Sequence, residues 1–515
     1  MIDFSTPLHL WTTSILAVLA YLFARIAYNL YFHPLSAIPG PRAWAASRLP
    51  YIYALIRGTT IQDIQSLHEK YGPIIRIAPN EVTFAHPDAY KDILQADQNK
   101  TQQGRFLKDP LWWGRQPGHP DSLLSVISPD KHAQMRRVLS PGFTAQALRD
   151  QEPLIQKYVN LLISQLQDLA GSDGNGNSVA QVNMTPWFNY TTFDIFGDLG
   201  YGEPFNCLQD SRYHPWISLL FDNVKAAGFV ISTRFYPLAQ YILMKCIPES
   251  IKKTQRDHYQ QVVNKVDRRL SWELQRPDLM SHVINKDGEL RMDAGEVYAT
   301  FMILTTVGSE TTATALTGTL NYLVNHGPES LRKLEGEVRG AFSSPEQITL
   351  DGVRNLPFLN AVINEGFRLC PPVPWILGRL VPEGGGVVCG QWLPGGTSIS
   401  IQAYTLNRSA TLFYNSTGFH PERWLPNAST DKISPFFNDQ RSAVQPFTTG
   451  PSVCLGQHLA WAEMRLILAK LIWAFDFSAL EGQSVRWEDL RTYLLVERKP
   501  INVGIRVREA QQAGI

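Results

Sequence analysis

Stretches of regularly spaced apolar residues alternate along the chain with turn-rich segments, and the spacing inside each stretch predicts its backbone. Leu8 to Ala24 is almost wholly apolar, interrupted by His9 and a few hydroxyls, and Ile26 to Phe32 continues the run beyond Arg25. That predicts a helix long enough to span a bilayer with its ends reaching the interfaces. Pro39-Gly40-Pro41-Arg42 follows as a stiff turn. Gly72 to Ala85 predicts a hairpin, because two β-branched runs flank Pro79-Asn80. Phe106 to Asp130 is rich in Trp, Pro and Gly and has no period, which predicts a long ordered loop. Lys131 to Leu139 and Gln151 to Ala170 have helical spacing, and 171–177 (GSDGNGN) is a flexible surface loop. Asn189 to Leu208 and Trp216 to Tyr241 are aromatic and apolar. The second of these fits plain core and the roof of a pocket equally well.

Asp293 to Asn325 is the longest predicted helix and is apolar nearly all round, hence buried. Pro357 to Leu369 predicts another helix, with proline in its first turn. Pro371 to Arg379 is extended after a proline break, and Gly384-Gly385-Gly386 turns into a short strand at 387–394. Near the end, a glycine-containing loop from Pro446 leads into an amphipathic helix marked by Leu459, Met464, Leu466, Ile467 and Leu471. Tyr493 to Val496 is a last strand-like run. The pattern predicts a mostly α fold with small β-sheets.

At 515 residues, 44% hydrophobic and 18% charged, the chain has ample material for a core, and its length alone would suit two or three domains. A net charge of +1 gives no field to attract nucleic acid. The five cysteines, Cys207, Cys246, Cys370, Cys389 and Cys454, are scattered and odd in number, which favours a reducing compartment over a disulfide framework. Glycosylation sequons at Asn183, Asn189 and Asn415 would matter only in the secretory lumen. A cleaved signal peptide wants positive charge before its apolar run, and only Asp3 stands there. Basic residues follow instead (Arg25, Arg42, Arg48), so the reading is an uncleaved anchor with the C-terminal bulk in the cytosol.

Four places carry candidate chemistry. Most lone cysteines are small buried hydrophobes. Cys454, however, lies just ahead of a helix N-terminus, where the dipole and unpaired N–H groups favour thiolate, and small neighbours admit a large flat ligand. Within the long apolar helix, Gly308 and Glu310 are both costly, while Thr311 and Thr312 could simply bond back to carbonyls. His132 and Arg136 share a helix face that on its own is a solvated charged surface. Glu365 and Arg368 are spaced to pair, and such a pair at a surface is worth little.

Phe447, Gly450, Cys454 and Gly456 make up Phe-x-x-Gly-x-x-x-Cys-x-Gly, which resembles the haem-binding loop of the cytochrome P450 family. Val307-Gly308-Ser309-Glu310-Thr311-Thr312 resembles that family's oxygen-binding helix. Glu365-x-x-Arg368 and Pro421-Glu422-Arg423 follow in the family's order. The resemblance implies a cytochrome P450 fold preceded by a transmembrane helix: residues 1–32 as anchor, 33–48 as proline-rich hinge and 49–515 as catalytic domain. It implies haem b with Cys454 as thiolate ligand of the iron and Phe447, Gly450 and Gly456 around it. Arg136, Arg379 and His132 (where the family often has Trp) would meet the haem propionates. Gly308 would open a groove for dioxygen, with Glu310 and Thr311 relaying protons. Glu365, Arg368 and Arg423 would form a structural ion network, the 106–130 loop would cover substrate, and Val373 to Leu377 would line the pocket. Ser452 departs from the family, which usually has a basic residue there.

The implied activity is monooxygenation of a hydrophobic small molecule, a terpenoid, polyketide or alkaloid intermediate of fungal secondary metabolism. No Gly-rich dinucleotide fingerprint follows a strand, so electrons from NADPH would arrive through a separate reductase. The implied location is the endoplasmic reticulum membrane, single-pass, with the catalytic domain in the cytosol. Other readings stay open: an oxygen-independent haem-thiolate isomerase or dehydratase, a haem carrier, and a cysteine hydrolase using Cys454 with His458 as its base.

Overall fold

The computed structural model of the chain describes residues 5–95, 104–115, 118–171, 179–214, 228–272, 276–285 and 287–508. Seven helices position the site: α1 (Ser5–Ala27), α2 (Pro129–Leu139), α3 (Ala145–Gly171), α4 (Met184–Tyr201), α5 (Ala294–Asn325), α6 (Pro357–Leu369) and α7 (Gln457–Ala474). α1 runs on through a π turn at Tyr28–Phe32. Its apolar span, Trp11–Phe32, is 22 residues long with mean hydropathy 1.6. Trp11, Leu16 and Phe23 face away from protein. By length and composition this helix suits a membrane span.

α5 is the spine, packed along α4, α6 and α7. Asp293 caps it, accepting from the Gly295 amide at 2.9 Å. Leu316, Leu320 and Leu323 of α5 share one core with Val362 of α6 and Leu466 and Leu471 of α7, all without exposed surface. Each such leucine contributes roughly 1.5–3 kcal/mol. The helix also buries many threonines. Three of their hydroxyls bond back within the helix: Thr305 donates to Phe301, Thr314 to Glu310 and Thr317 to Ala313, at 2.6–2.8 Å.

Among the described residues, twelve strands form small sheets. The largest takes the order β1 (Ile74–Ala78), β2 (Glu81–Phe84), β8 (Ser398–Ile401), β5 (Ile376–Leu380), β3 (Leu107–Lys108). The expected hairpin is the antiparallel pair β1–β2, with Ile74 opposite Phe84. β4 (Ala180–Asn183), β12 (Asn502–Val507) and β9 (Phe475–Ser478) make a three-stranded sheet with β12 in the middle. β6 (Gly386–Val388) pairs with β7 (Gln391–Leu393), and β10 (Thr492–Tyr493) with β11 (Leu495–Val496).

Two expectations need correction. The 106–130 segment is not all loop, since it contains β3 and a short helix, Pro110–Trp113. Asp109 builds that corner by accepting from the Leu111 amide at 2.9 Å and the Ser398 hydroxyl at 2.7 Å. The 216–241 segment is neither wholly core nor roof where it is described. Ile231 is buried against a cluster with Trp112, but Leu238 and Tyr241 are exposed on the helix Pro237–Cys246. Residues 215–227 and most of the 171–177 loop lie outside the described residues.

Candidate active site

The cysteine loop is held in an unusual backbone. Thr448 adopts φ 60° and Gly450 φ 75°, both left-handed. A Cβ on Gly450 would strike the Leu94 carbonyl, so only glycine fits this close approach. The Cys454 amide donates to the Phe447 carbonyl at 2.9 Å and closes the loop. The Phe447 ring meets Phe367 of α6 edge-on at 5.2 Å, and Phe367 meets Trp461 of α7 at 5.6 Å. Loop, α6 and α7 are thereby pinned together.

Cys454 stands just before α7, and its side chain is exposed. The surrounding protein mass still pushes its thiol up, with the Gly456 amide and Arg136 opposing. A Cβ on Gly456 would meet nothing within 4 Å, so open space lies on that side of the loop. The Arg136 guanidinium donates to the Val453 carbonyl at 2.7 Å and draws α2 onto the loop.

α5 presents a second open surface. Met302, Ile303, Thr306, Val307 and Thr311 are half-open, while Thr312 to Val324 are all buried. The spacing puts the open residues on one helix face. Thr311 donates its hydroxyl to the Val307 carbonyl at 2.7 Å. Next to it, Thr312 touches Glu463 of α7, whose carboxyl is pushed up to about 8 by burial.

Gly308 is placed differently from the expectation. Its missing side chain faces α4: a Cβ would lie 2.9 Å from Phe196 Cδ2. The glycine therefore permits the close packing of α4 on α5, and it is itself half-open beside Thr306 and Val307. Gly308→Ala is expected to cost about 1–3 kcal/mol, measurable by denaturant unfolding of the cofactor-free chain. Unchanged stability with lost activity would restore the groove role.

Glu310 is buried and ion-paired with Arg498. The same guanidinium donates to Asn189 Oδ1 at 2.7 Å, and Asn189 Nδ2 donates to the Tyr213 hydroxyl at 2.9 Å. Burial raises the Glu310 carboxyl, with Arg498 opposing, and Glu310 Oε1 has no partner. Glu310 is thus clamped by a cation that sequence reading missed.

The cations expected near the cofactor come together. His132 and Arg136 stand on α2, and Arg379 on β5. Lys108 of β3, which sequence reading also missed, is the register partner of Arg379. His132 is pushed down to about 4 by burial and then by Lys108, Arg136 and Arg379, so it is neutral at physiological pH and is no charge partner. Burial lowers Arg379 to about 10 and leaves its Nε without a partner. Ser452 brings no charge; its carbonyl accepts from the Thr448 hydroxyl at 3.2 Å. Of the expected pocket lining, Val373 is exposed and Leu377 half-open, but Trp375 is core.

A soft sulfur donor at a helix start, open space beside it and clustered cations that pair with no carboxylate among the described residues fit a flat, metal-centred ligand bearing acidic groups. That donor set defines the class of haem-thiolate proteins. The cytochrome P450 family model matches residues 39–505, and the chain belongs to that family. It is 39% identical over 490 residues to the cytochrome P450 monooxygenase lcsI of Purpureocillium lilacinum, covering 95% of this chain and 92% of the relative. It is 37% identical to the monooxygenase astJ of Aspergillus oryzae, covering 95% of both. It is also 35% identical to the averantin hydroxylase of Dothistroma septosporum, covering 97% of this chain and 91% of the relative. The mostly α fold, the family and the oxygen-incorporating oxidoreductase class expected from sequence are all borne out. Membership implies haem on a cysteine thiolate, a hydrophobic substrate and a redox partner.

Proposed function

We propose that the chain hydroxylates or otherwise oxidises a hydrophobic intermediate of fungal secondary metabolism, drawing electrons from NADPH through a separate reductase. Residues 1–32 anchor it in the endoplasmic reticulum membrane, 33–48 form a hinge and 49–515 face the cytosol as catalytic domain. The observation that carries this reading is the pairing of an exposed Cys454 on a rigid loop with an α5 face that is open only as far as Thr311. The naming of relatives as monooxygenases, averantin hydroxylase among them, supports the setting.

When bound, the haem supplies activation of dioxygen. The chain's residues do the rest. Cys454 holds the iron as thiolate. Arg136 and Arg379 offer charge to the carboxylates, and Phe447, Gly450 and Gly456 keep the loop in shape. Thr311 uses its hydroxyl proton on Val307 O, which leaves its oxygen able to accept. Glu310 passes a proton only by loosening its pair with Arg498, and Asn189 is at hand to hold the guanidinium. The hydrolase reading loses its support, because among the described residues no histidine hydrogen-bonds Cys454 and His458 is exposed.

Deleting the gene from its source organism tests the reaction. A precursor lighter by one oxygen is expected to accumulate. A compound of the product's own mass would favour the oxygen-independent isomerase. Thr311→Ala is expected to lower product formation by roughly 10²-fold, in the range of general acid–base effects, and to divert reducing equivalents to peroxide. Full coupling in that variant would remove the proton role.

A further inference from the structure

Residues 33–48 join the apolar helix to the rest of the chain, and one side chain of the catalytic domain reaches back to the start of that joint. In the π turn at Tyr28–Phe32 bonds run five residues back, and the His33 amide donates to the Tyr28 carbonyl at 2.8 Å. The Asn29 carbonyl would next take the amide of residue 34, which is proline and has none. Arg76 of β1 fills the gap, donating from Nη1 to Asn29 O at 2.8 Å. Its Nε and Nη2 donate to the Pro79 carbonyl in the β1–β2 turn, at 3.2 and 2.7 Å. The residue is only 2% exposed. Burial lowers it to about 10, so it keeps its charge at neutral pH, and among the described residues no carboxylate pairs with it. A buried cation without a counter-ion is costly. What it gains here is a bridge from the hairpin to the end of the apolar helix.

The backbone of the same residue meets the joint again. The Arg76 amide donates to the Pro39 carbonyl at 2.8 Å, and a Cβ on Gly40 would strike the Arg76 carbonyl. Asn29 in turn donates from Nδ2 to the Ala46 carbonyl at 2.9 Å, which ties the two ends of the joint together. Between them, Leu35 and Ile38 are buried in one cluster with Val82 and Phe84 of β2 and Ile399 of β8. We infer that Arg76 latches this joint: it fixes the angle between the apolar helix and the catalytic domain, and with it the pose of the domain on the bilayer. The inference rests on the reading of residues 1–32 as a membrane anchor, and it makes the hinge at 33–48 a locked one. Neither the sequence motifs nor the comparisons give Arg76 a role.

The test uses the full chain in a supported phosphatidylcholine bilayer, where neutron reflection reads how the mass of the domain is distributed above the lipid. The wild type is expected to give one sharp protein layer. Arg76→Gln is too short to hold the Asn29 and Pro79 carbonyls together, and its layer is expected to broaden while thermal unfolding stays cooperative. A lower Tm with an unchanged layer would make Arg76 a plain stabiliser and overturn the latch, as would a wild-type layer already as broad as that of the variant. Should Arg76→Gln not fold, hydrogen exchange in the bilayer-bound wild type decides. The Arg76 amide donates to Pro39, so its exchange reports the joint. It is expected to exchange as slowly as the amides of the β1–β2 ladder, and exchange at the rate of an open chain overturns the inference. Release of the wild type from membranes by alkaline carbonate would instead sink the anchor reading itself.

Discussion

Cys454→Ser is expected to yield a folded protein that lacks the thiolate-haem absorption band after reduction under carbon monoxide, and lacks all oxygenation. The substitution is nearly isosteric, and the loop is held by other contacts: Phe447 against Phe367, Gly450 under Leu94 and the Cys454 amide on Phe447. Stability of the cofactor-free chain should therefore change by less than about 0.5 kcal/mol. What disappears is the anion. The Gly456 amide and Arg136 pull the thiol toward thiolate against the effect of burial, and a serine hydroxyl does not ionise under the same influences. An unchanged band in the variant would remove Cys454 as ligand.

The second large effect is structural. Glu365→Gln should destabilise the chain by about 3–5 kcal/mol, the cost of breaking a buried ion pair from one side. Five donors converge on this carboxylate. Oε1 accepts from Arg368 Nη2 at 2.7 Å, the His420 amide at 2.8 Å and Arg423 Nε at 3.1 Å. Oε2 accepts from Arg368 Nε at 2.8 Å and Trp424 Nε1 at 2.9 Å. Glu365, Arg368 and Arg423 have no exposed side-chain surface, and Asp439 pairs with Arg423 from the other side. An amide would set its own NH2 against these donors and leave the two arginines with one negative charge. Since domains hold only about 5–15 kcal/mol in reserve, the midpoint of unfolding and the yield of folded protein should both fall. Arg368 also follows Phe367, the ring that pins the cysteine loop, so porphyrin retention should fall with stability.

The same cluster sets an acid limit. Burial alone would raise Glu365, but Arg368, Arg423 and the His420 amide outweigh it, and the net shift is downward. A carboxyl depressed on folding gives its full stabilisation above its unfolded value and loses it as pH falls through the folded value. Thermal unfolding of the wild type should therefore steepen below about pH 4. In Glu365→Gln that limb should be shallower, and identical slopes would show that another group controls acid stability.

What was legible in the sequence is what a local pattern carries. The α5 helix, the β1–β2 hairpin, the cysteine loop ahead of α7 and the spacing of Glu365 to Arg368 each declare themselves within a few turns of chain. Partners supplied from afar did not. Arg498 lies 188 positions from Glu310, and nothing in its neighbourhood marks it as a counter-ion. Asp439 and Trp424 complete the Glu365 cluster through turns without periodicity. Lys108 sits on a strand too short to have a period. Gly308 shows the limit of a motif: the residue was found, but which face of α5 it serves depends on where α4 packs.

The order of strands in the small sheet has a consequence for synthesis. β12 lies between β4 and β9, yet it is the last of the three to leave the ribosome. Until it arrives, β4 and β9 each present a bare edge, and Arg498, a few residues upstream, has only just emerged to meet Glu310. The Glu310–Arg498 pair therefore forms only after every other element packed on α5 has been made, and a chain cut short before β12 offers chaperones two unpaired strands.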